Sequence, residues 1–288
     1  MLVPRPGGEL QIGVDPPWLL ADPTGAWCRL LTRMDGRNTV GEIVADTDPP
    51  LRRRFATVLS SLVNAGLVEV LDAAPVRSRR GGHRIRLVGA GPVAVAVADR
   101  LLQNGIERVY LCETADPERA EAFQTARPDR VRLVRHWRKP ESPRLPLTLV
   151  VADTLEPDRL VTADLLRHDA AHLVVRPRLG GALVGPLVVP GVTACLHCCD
   201  LTRRDADPDW PAVLAGLQLD HATYTAPATD WTVAMTVVQV LGFLAGHRTE
   251  TYGATLELAG FAMAWRRWPA HPECGCRWPD SLPIGAAS

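Results

Sequence analysis

Lysine is almost missing from this 288-residue chain: Lys139 stands alone among 32 basic residues. Catalytic schemes built on a lysine are therefore largely excluded. Net charge is missing as well, because 32 acidic residues balance the 32 basic ones, so no global field gathers nucleic acid or anionic membrane. No apolar run approaches the roughly 20 residues of a membrane span, and no N-terminal stretch has the charged, apolar and small-residue order of a signal peptide. These absences predict a cytoplasmic protein. Residues 200–273 hold no cysteine and the eight histidines are scattered, so neither a thiol nucleophile nor a Ser/His/Asp triad stands out. What is present, 47% hydrophobic residues, suffices for a sizeable core in one large or two small domains.

Against that background four cysteines carry the strongest signal. Cys195-x-x-Cys198 and Cys274-x-Cys276 form two close pairs about seventy-five residues apart. Two thiolate pairs presented by tight turns complete a tetrahedral Zn²⁺ site. A disulfide is the competing reading, weakened by the expected cytoplasmic setting; buried free thiols are another. His197, Cys199 and His271 are spare donors nearby, and Cys28 and Cys112 sit in apolar runs as core residues.

Residues 1–73 read as a small unit, 74–82 as a polar, Gly-containing linker, and 83–288 as the second domain. In the small unit, 10–14 alternates like a strand, Pro16-Pro17 turns the chain, and 18–20 returns. Helices follow at 24–34, at 40–45 with Thr39 as cap, and at 51–65 with Gly66 as the stop. A hairpin with three helices suggests a winged-helix module. From His83 the pattern alternates: strand 85–88, helix 92–103, strand 109–112, strand 147–152, helix 160–168 and strand 172–175. That is an α/β, doubly wound parallel sheet with helices on both faces. Residues 182–189 and 255–265 read as antiparallel strands, with a long apolar helix at 231–245 between them.

Gly89-x-Gly91 follows a strand and opens a helix, a context in which backbone amides approach a phosphate. Glu113, 24 residues on at the end of the next strand, is placed to accept ribose hydroxyls. The glycines are equally explained as a tight strand-to-helix turn.

The order Gly89-Ala-Gly91, then Gly181-Ala-Leu-Val-Gly185-Pro-Leu-Val-Val-Pro190-Gly191-Val-Thr-Ala-Cys195-Leu-His-Cys198, then Pro272 to Cys276, resembles the ThiF/MoeB, ubiquitin-activating-enzyme-like family over about residues 83–278. The resemblance implies a Rossmann-type mixed sheet, a homodimer, a structural zinc held by Cys195, Cys198, Cys274 and Cys276, and adenylation of a carboxyl terminus with ATP and Mg²⁺. The chain departs from the family where that chemistry belongs. The family's D-x-D reads Glu113-Thr-Ala-Asp116-Pro117, and its D-x-x-D-N reads Asp153-Thr-Leu-Glu156-Pro157. The downstream Asn-Leu-x-Arg element and the phosphate-contacting lysine are missing. Phosphoryl chemistry needs positioned cations, so these losses predict a pseudoenzyme whose nucleotide site, Gly89, Gly91, Glu113, Asp153 and Glu156, is vestigial; an active adenylating enzyme with a divergent site is the alternative.

A small winged-helix unit before a degenerate ThiF-like domain resembles the precursor-binding partners of YcaO-type cyclodehydratases in azoline-forming pathways, whose first module is PqqD-like. The resemblance implies that a precursor peptide, or a small carrier protein, adds as a strand beside the sheet and against the third helix, with Leu10, Ile12, Val14, Phe55, Val58 and Leu62 as the recognition surface. The bland reading puts these residues in the small core. A DNA-binding winged helix competes through Arg52-Arg53-Arg54, but residues 1–80 carry ten arginines against nine acidic residues, which is no basic footprint.

Overall fold

The computed structural model describes residues 1–15, 17–35, 38–45, 47–68, 82–112, 116–134, 145–221 and 223–276. The chain divides into two compact units, Met1–Ser78 and Arg79–Ser288. Glu113 and, apart from Gly82, the linker expected at 74–82 lie outside the described residues.

In the first unit three antiparallel strands, β1 (Leu2–Arg5), β2 (Glu9–Ile12) and β3 (Trp18–Ala21), lie in the order β1-β2-β3. The first of them is absent from the sequence reading; it contains Pro4, which is tolerated at a sheet edge. Helices α1 (Ala26–Thr32), α2 (Val40–Ala45) and α3 (Pro49–Asn64) follow. The Asp22 carboxylate accepts the Trp27 and Cys28 amides at 3.0 and 2.8 Å, supplying the cap that Gly25 lacks. Thr39 caps α2 as expected, in a reciprocal pair: Glu42 N donates to Thr39 Oγ1 and Thr39 N to Glu42 Oε2.

The apolar stripe of α3 turns inward. Phe55, Val58 and Leu62 join Leu10, Ile12, Leu20, Trp27 and Leu30 in one core, each contributing about 1.5–3 kcal/mol by burial. Leu10 and Leu62 are fully buried, and Ile12, Phe55 and Val58 nearly so. These five are core residues, and of the six expected at a peptide surface only Val14 is exposed, at 65%. Amphipathic spacing identifies a face that must be covered, and here the unit's own sheet covers it.

The second unit is a mixed eight-stranded sheet in the order β11-β10-β9-β8-β7-β4-β5-β6. Strands β4 (Arg84–Val88), β5 (Arg108–Cys112), β6 (Val131–Val134), β7 (Thr148–Val151) and β8 (His172–Arg178) are parallel; β9 (Gly181–Val188), β10 (Ala254–Ala259) and β11 (Ala262–Arg267) run antiparallel. Residues 255–265, read as one strand, break at Gly260-Phe261 into the β10–β11 hairpin, with Gly260 at φ 60°. Helices α4 (Pro92–Gln103) and α9 (Ala226–Leu244) pack against one face. On the other face Leu165 of α6 (Arg159–Arg167) meets Val88, Cys112 and Val150. Helices α5 (Pro117–Thr125), α7 (Leu196–Ala206) and α8 (Trp210–Leu217) complete the described unit. Among the described residues no helix is long and apolar enough to cross a membrane.

The β4–α4 turn explains its first glycine. Gly89 has φ 115°, and a Cβ there would lie 2.1 Å from the Val151 carbonyl oxygen of the neighbouring strand. Gly89→Ala is expected to destabilise the protein by about 2–3 kcal/mol, read as a fall in the urea midpoint. An unchanged midpoint would mean that the strands leave room for a methyl group.

Candidate functional site

Three features meet at the C-terminal ends of the parallel strands and beyond them: a cysteine cluster, a buried ionic lattice and a cleft at the glycine turn. The cluster is built by the β9–α7 connection and by the turn after β11. Gly191, at φ 74°, reverses the chain. Thr193 then locks the loop, accepting the Val189 amide at 2.8 Å and donating to the Leu187 carbonyl at 3.3 Å. Cys195 becomes the N-cap of α7, with Cys198 one turn on. Trp268, buried and bonded through Nε1 to Thr255 Oγ1 at 2.9 Å, holds the second pair's segment against the sheet.

The four sulfurs of Cys195, Cys198, Cys274 and Cys276 lie within 4.8 Å of one another. Individual separations are 4.0 Å for Cys195–Cys198, 3.5 Å for Cys195–Cys274 and 3.3 Å for Cys198–Cys276. Four sulfurs about 2.3 Å from a central ion sit roughly 3.8 Å apart, so the set fits one tetrahedral metal and none of these separations is a disulfide. Cys198 is the sulfur most ready to ionise. The Cys195 thiol donates to it and, against the opposing effect of burial, the His271 amide does so too at 3.3 Å, pushing its pKa down to about 4.

The spare donors are otherwise employed. The His271 ring pairs with Asp205 at 2.8 Å. Cys199 is buried, and burial pushes its thiol up to about 12, which makes it an inert packing group. Beside the sulfurs a cavity of about 410 Å³ opens between α6 and α7, lined by Leu160, Leu166, Leu196 and His197 among others.

One turn beyond Cys195 and Cys198, α7 carries Asp200 and Arg203 into the lattice. Glu156, buried, takes Arg159 at 2.8 Å, Arg176 at 3.2 Å and Arg203 at 3.6 Å. Asp200 takes Arg159 Nε at 2.7 Å, Nη2 at 2.9 Å and the Trp210 indole at 3.2 Å. Arg203 is sandwiched by the Trp210 and Trp268 rings at 4.7 and 4.9 Å. Burial pushes the Glu156 carboxyl up, but Arg176, Arg159 and Arg203 together overcome it and hold it below the ordinary glutamate value. The carboxylate expected to coordinate a cation is ion-paired with three guanidiniums.

In the cleft Gly91 and Asp153 do come together. The Asp153 carboxylate sits against Gly91, 1.9 Å from where a Cβ would stand, and accepts the Gly91 amide. Burial raises its pKa, His221 and Arg119 oppose that, and Asp116 adds to it. A carboxylate thus occupies the turn where phosphate oxygens would be received. Tyr224, its hydroxyl buried without a hydrogen-bond partner, faces Asp153 and Arg176. Arg159, Arg176 and Arg203 escaped sequence reasoning, since only their convergence from α6, β8 and α7 gives them meaning.

The mixed sheet, with its antiparallel extension and cysteine-pinned C-terminal hairpin, defines a ThiF-like fold. Among solved structures, E. coli MccB matches the whole chain and 97% of its own length at a TM-score of 0.66 and 14% identity. MccB crystallised with AMPCPP and MccA matches at 0.64. A heterocyclase solved with substrate and cofactor matches at 0.63 and 16% identity, over 96% of this chain and 38% of that one. No protein-family model and no curated protein matches the sequence.

Proposed function

We propose that this chain binds a ribosomal precursor peptide and presents it to a YcaO-type cyclodehydratase, without adenylating the peptide itself. The observation that carries the loss of adenylation is the Glu156 lattice: a carboxylate ion-paired to three arginines is already charge-compensated and would have to give up those partners to coordinate Mg²⁺. Asp153 against Gly91 adds repulsion toward a triphosphate. The cysteine cluster takes structural Zn²⁺, which four thiolates favour. Homodimerisation, a PqqD-like role for the first unit and a cytoplasmic setting belong to the same reading.

Within the first unit the open edge for a peptide strand is β3, because Pro4 blunts β1. Leu19, 45% exposed on β3, and Val14 then replace the buried residues as contacts. Holding the peptide near the partner's active site accelerates the partner by proximity. The relatives in fold fit such a role: MccB has been crystallised with MccA, and the heterocyclase with its substrate.

The decisive experiment is pyrophosphate exchange with ATP, Mg²⁺ and the precursor. No exchange is expected, together with a raised kcat/KM of the cyclodehydratase when this chain is added. Robust exchange that Glu156→Gln abolishes would replace this reading with the adenylating alternative, which the retained Gly89–Gly91 turn favours. Leu19→Arg is expected to weaken precursor binding about tenfold or more in fluorescence anisotropy, with the melting temperature unchanged. Equal affinity would move the peptide off β3.

A further inference from the structure

The four sulfurs approach one another more closely across the two cysteine pairs than within the first. Cys195 lies 3.5 Å from Cys274 and Cys198 lies 3.3 Å from Cys276, whereas Cys195 and Cys198 are 4.0 Å apart. Bonded sulfurs stand about 2.05 Å apart, so each cross-pair needs to close by only roughly 1.4 Å. The backbone of the second pair leaves room for that. Gly275, between Cys274 and Cys276, has φ 67°, and among the described residues nothing lies within 4 Å of where its Cβ would stand. The first pair has no such freedom, because Cys195 caps α7 and Cys198 lies inside it. Joining those two would distort the first turn of the helix.

The sulfurs are also within reach of a small reagent. Cys274 and Cys276 are half-buried, and the cavity of about 410 Å³ is walled in part by Cys195, Cys274 and Cys276. A peroxide, little larger than water, fits there several times over. Cys199, by contrast, is buried and forms no part of that wall.

We propose that the four-cysteine site is a reversible oxidation switch: a peroxide converts the thiolates that hold Zn²⁺ into two disulfides, Cys195–Cys274 and Cys198–Cys276, and the ion is released. The switch presupposes the Zn²⁺ of the reading above. In each cross-pair one thiolate attacks a peroxide oxygen, the O–O bond breaks, and a sulfenic acid and hydroxide result. The facing thiolate then attacks the sulfenic sulfur, so that the S–S bond forms and the S–O bond breaks with loss of a second hydroxide. Two electrons thus pass from the sulfur pair to one peroxide, and two protons from solvent complete two waters. Metal ligation needs the thiolate, so no donor is left to the ion. Because the new bonds run across the pairs, linking residues 79 and 78 positions apart, the start of α7 stays tied to the segment after β11. In a reducing compartment such bonds are transient, which suits a switch.

The full chain, reduced and loaded with Zn²⁺, provides the test. Hydrogen peroxide is expected to release one equivalent of Zn²⁺ to a chelating dye and to consume four of the seven thiols. Peptide mass mapping should find Cys195 joined to Cys274 and Cys198 to Cys276, and dithiothreitol with added Zn²⁺ should restore both metal and thiols. The oxidised chain should melt about 10 °C or more above the reduced chain stripped of zinc by a chelator. Cys199→Ala should respond as the parent does. Zinc that stays bound under peroxide, disulfides within the pairs or to Cys199, irreversible sulfinic acids at the cluster, or an oxidised chain that melts with the stripped one overturns the switch while the zinc site stands. A reduced chain that takes up no Zn²⁺ overturns both.

Discussion

A Cys198→Ser chain is expected to lose its metal equivalent and to melt about 10 °C or more below the parent. The magnitude follows from what an ion at the four sulfurs would hold together. Two of the sulfurs start α7 and two close the segment after β11, and the hydrophobic packing around them is modest: Val174, Val188, Ala194, Leu196 and Trp268. Without an ion, thiolates this close repel one another, and Cys198 is favoured as the charged form. A bound Zn²⁺ converts that repulsion into folding energy. Cys199→Ala is the matched control, since the neighbouring thiol is buried yet outside the cluster; it should retain the metal and lose only about 1 kcal/mol. Equal metal content in Cys198→Ser and parent, measured by atomic emission, would remove the four-cysteine site from the account.

Glu156→Gln is expected to cost about 3–5 kcal/mol, because it leaves Arg159, Arg176 and Arg203 converging on a neutral group inside the protein. Arg176 is the most buried of them, with a side chain 2% exposed, and Arg176→Met should cost a similar amount. Removing both should cost much less than the sum, since each single change strands the other's charge. The pH dependence has a definite sign. The folded pKa of Glu156 lies below its ordinary 4.5, so its contribution is complete above that value and fades as pH falls through the lower folded pKa. Urea midpoints of the parent should therefore drop more steeply below pH 4.5 than those of Glu156→Gln. Parallel curves would mean that the lattice contributes no linkage.

Much of the architecture was readable because local chemistry and tertiary context agree. Pro92 and Pro117 start helices, Gly105 follows the first of them, and the mostly apolar runs at 148–151 and 172–175 are strands covered on both faces. The cysteine pairs were readable for a similar reason, since metal ligands must come in tight local groups. The surroundings of Glu156 were not readable, because spacing alone names a donor and says nothing of its neighbours: Arg176 and Arg203 arrive from 20 and 47 residues away. The burial of the expected peptide surface was unreadable for a different reason. Periodicity marks Phe55, Val58 and Leu62 as one face, but a face that binds a ligand and a face that binds its own sheet have the same period.

Helix α7 also acts as a gauge. Its first turn sets two sulfurs and its second sets Asp200 and Arg203, and 100° per residue ties their directions together. Inserting one residue between Cys199 and Asp200 would leave all four cysteines present and every lattice partner present, yet aim the two groups in unrelated directions. Length variation among relatives should accordingly be barred from the span between Cys195 and Arg203 and tolerated after Ala206, where the helix ends. Spacing within this one helix, more than the identity of any residue in it, sets whether the cysteine cluster and the buried charges can be satisfied at once.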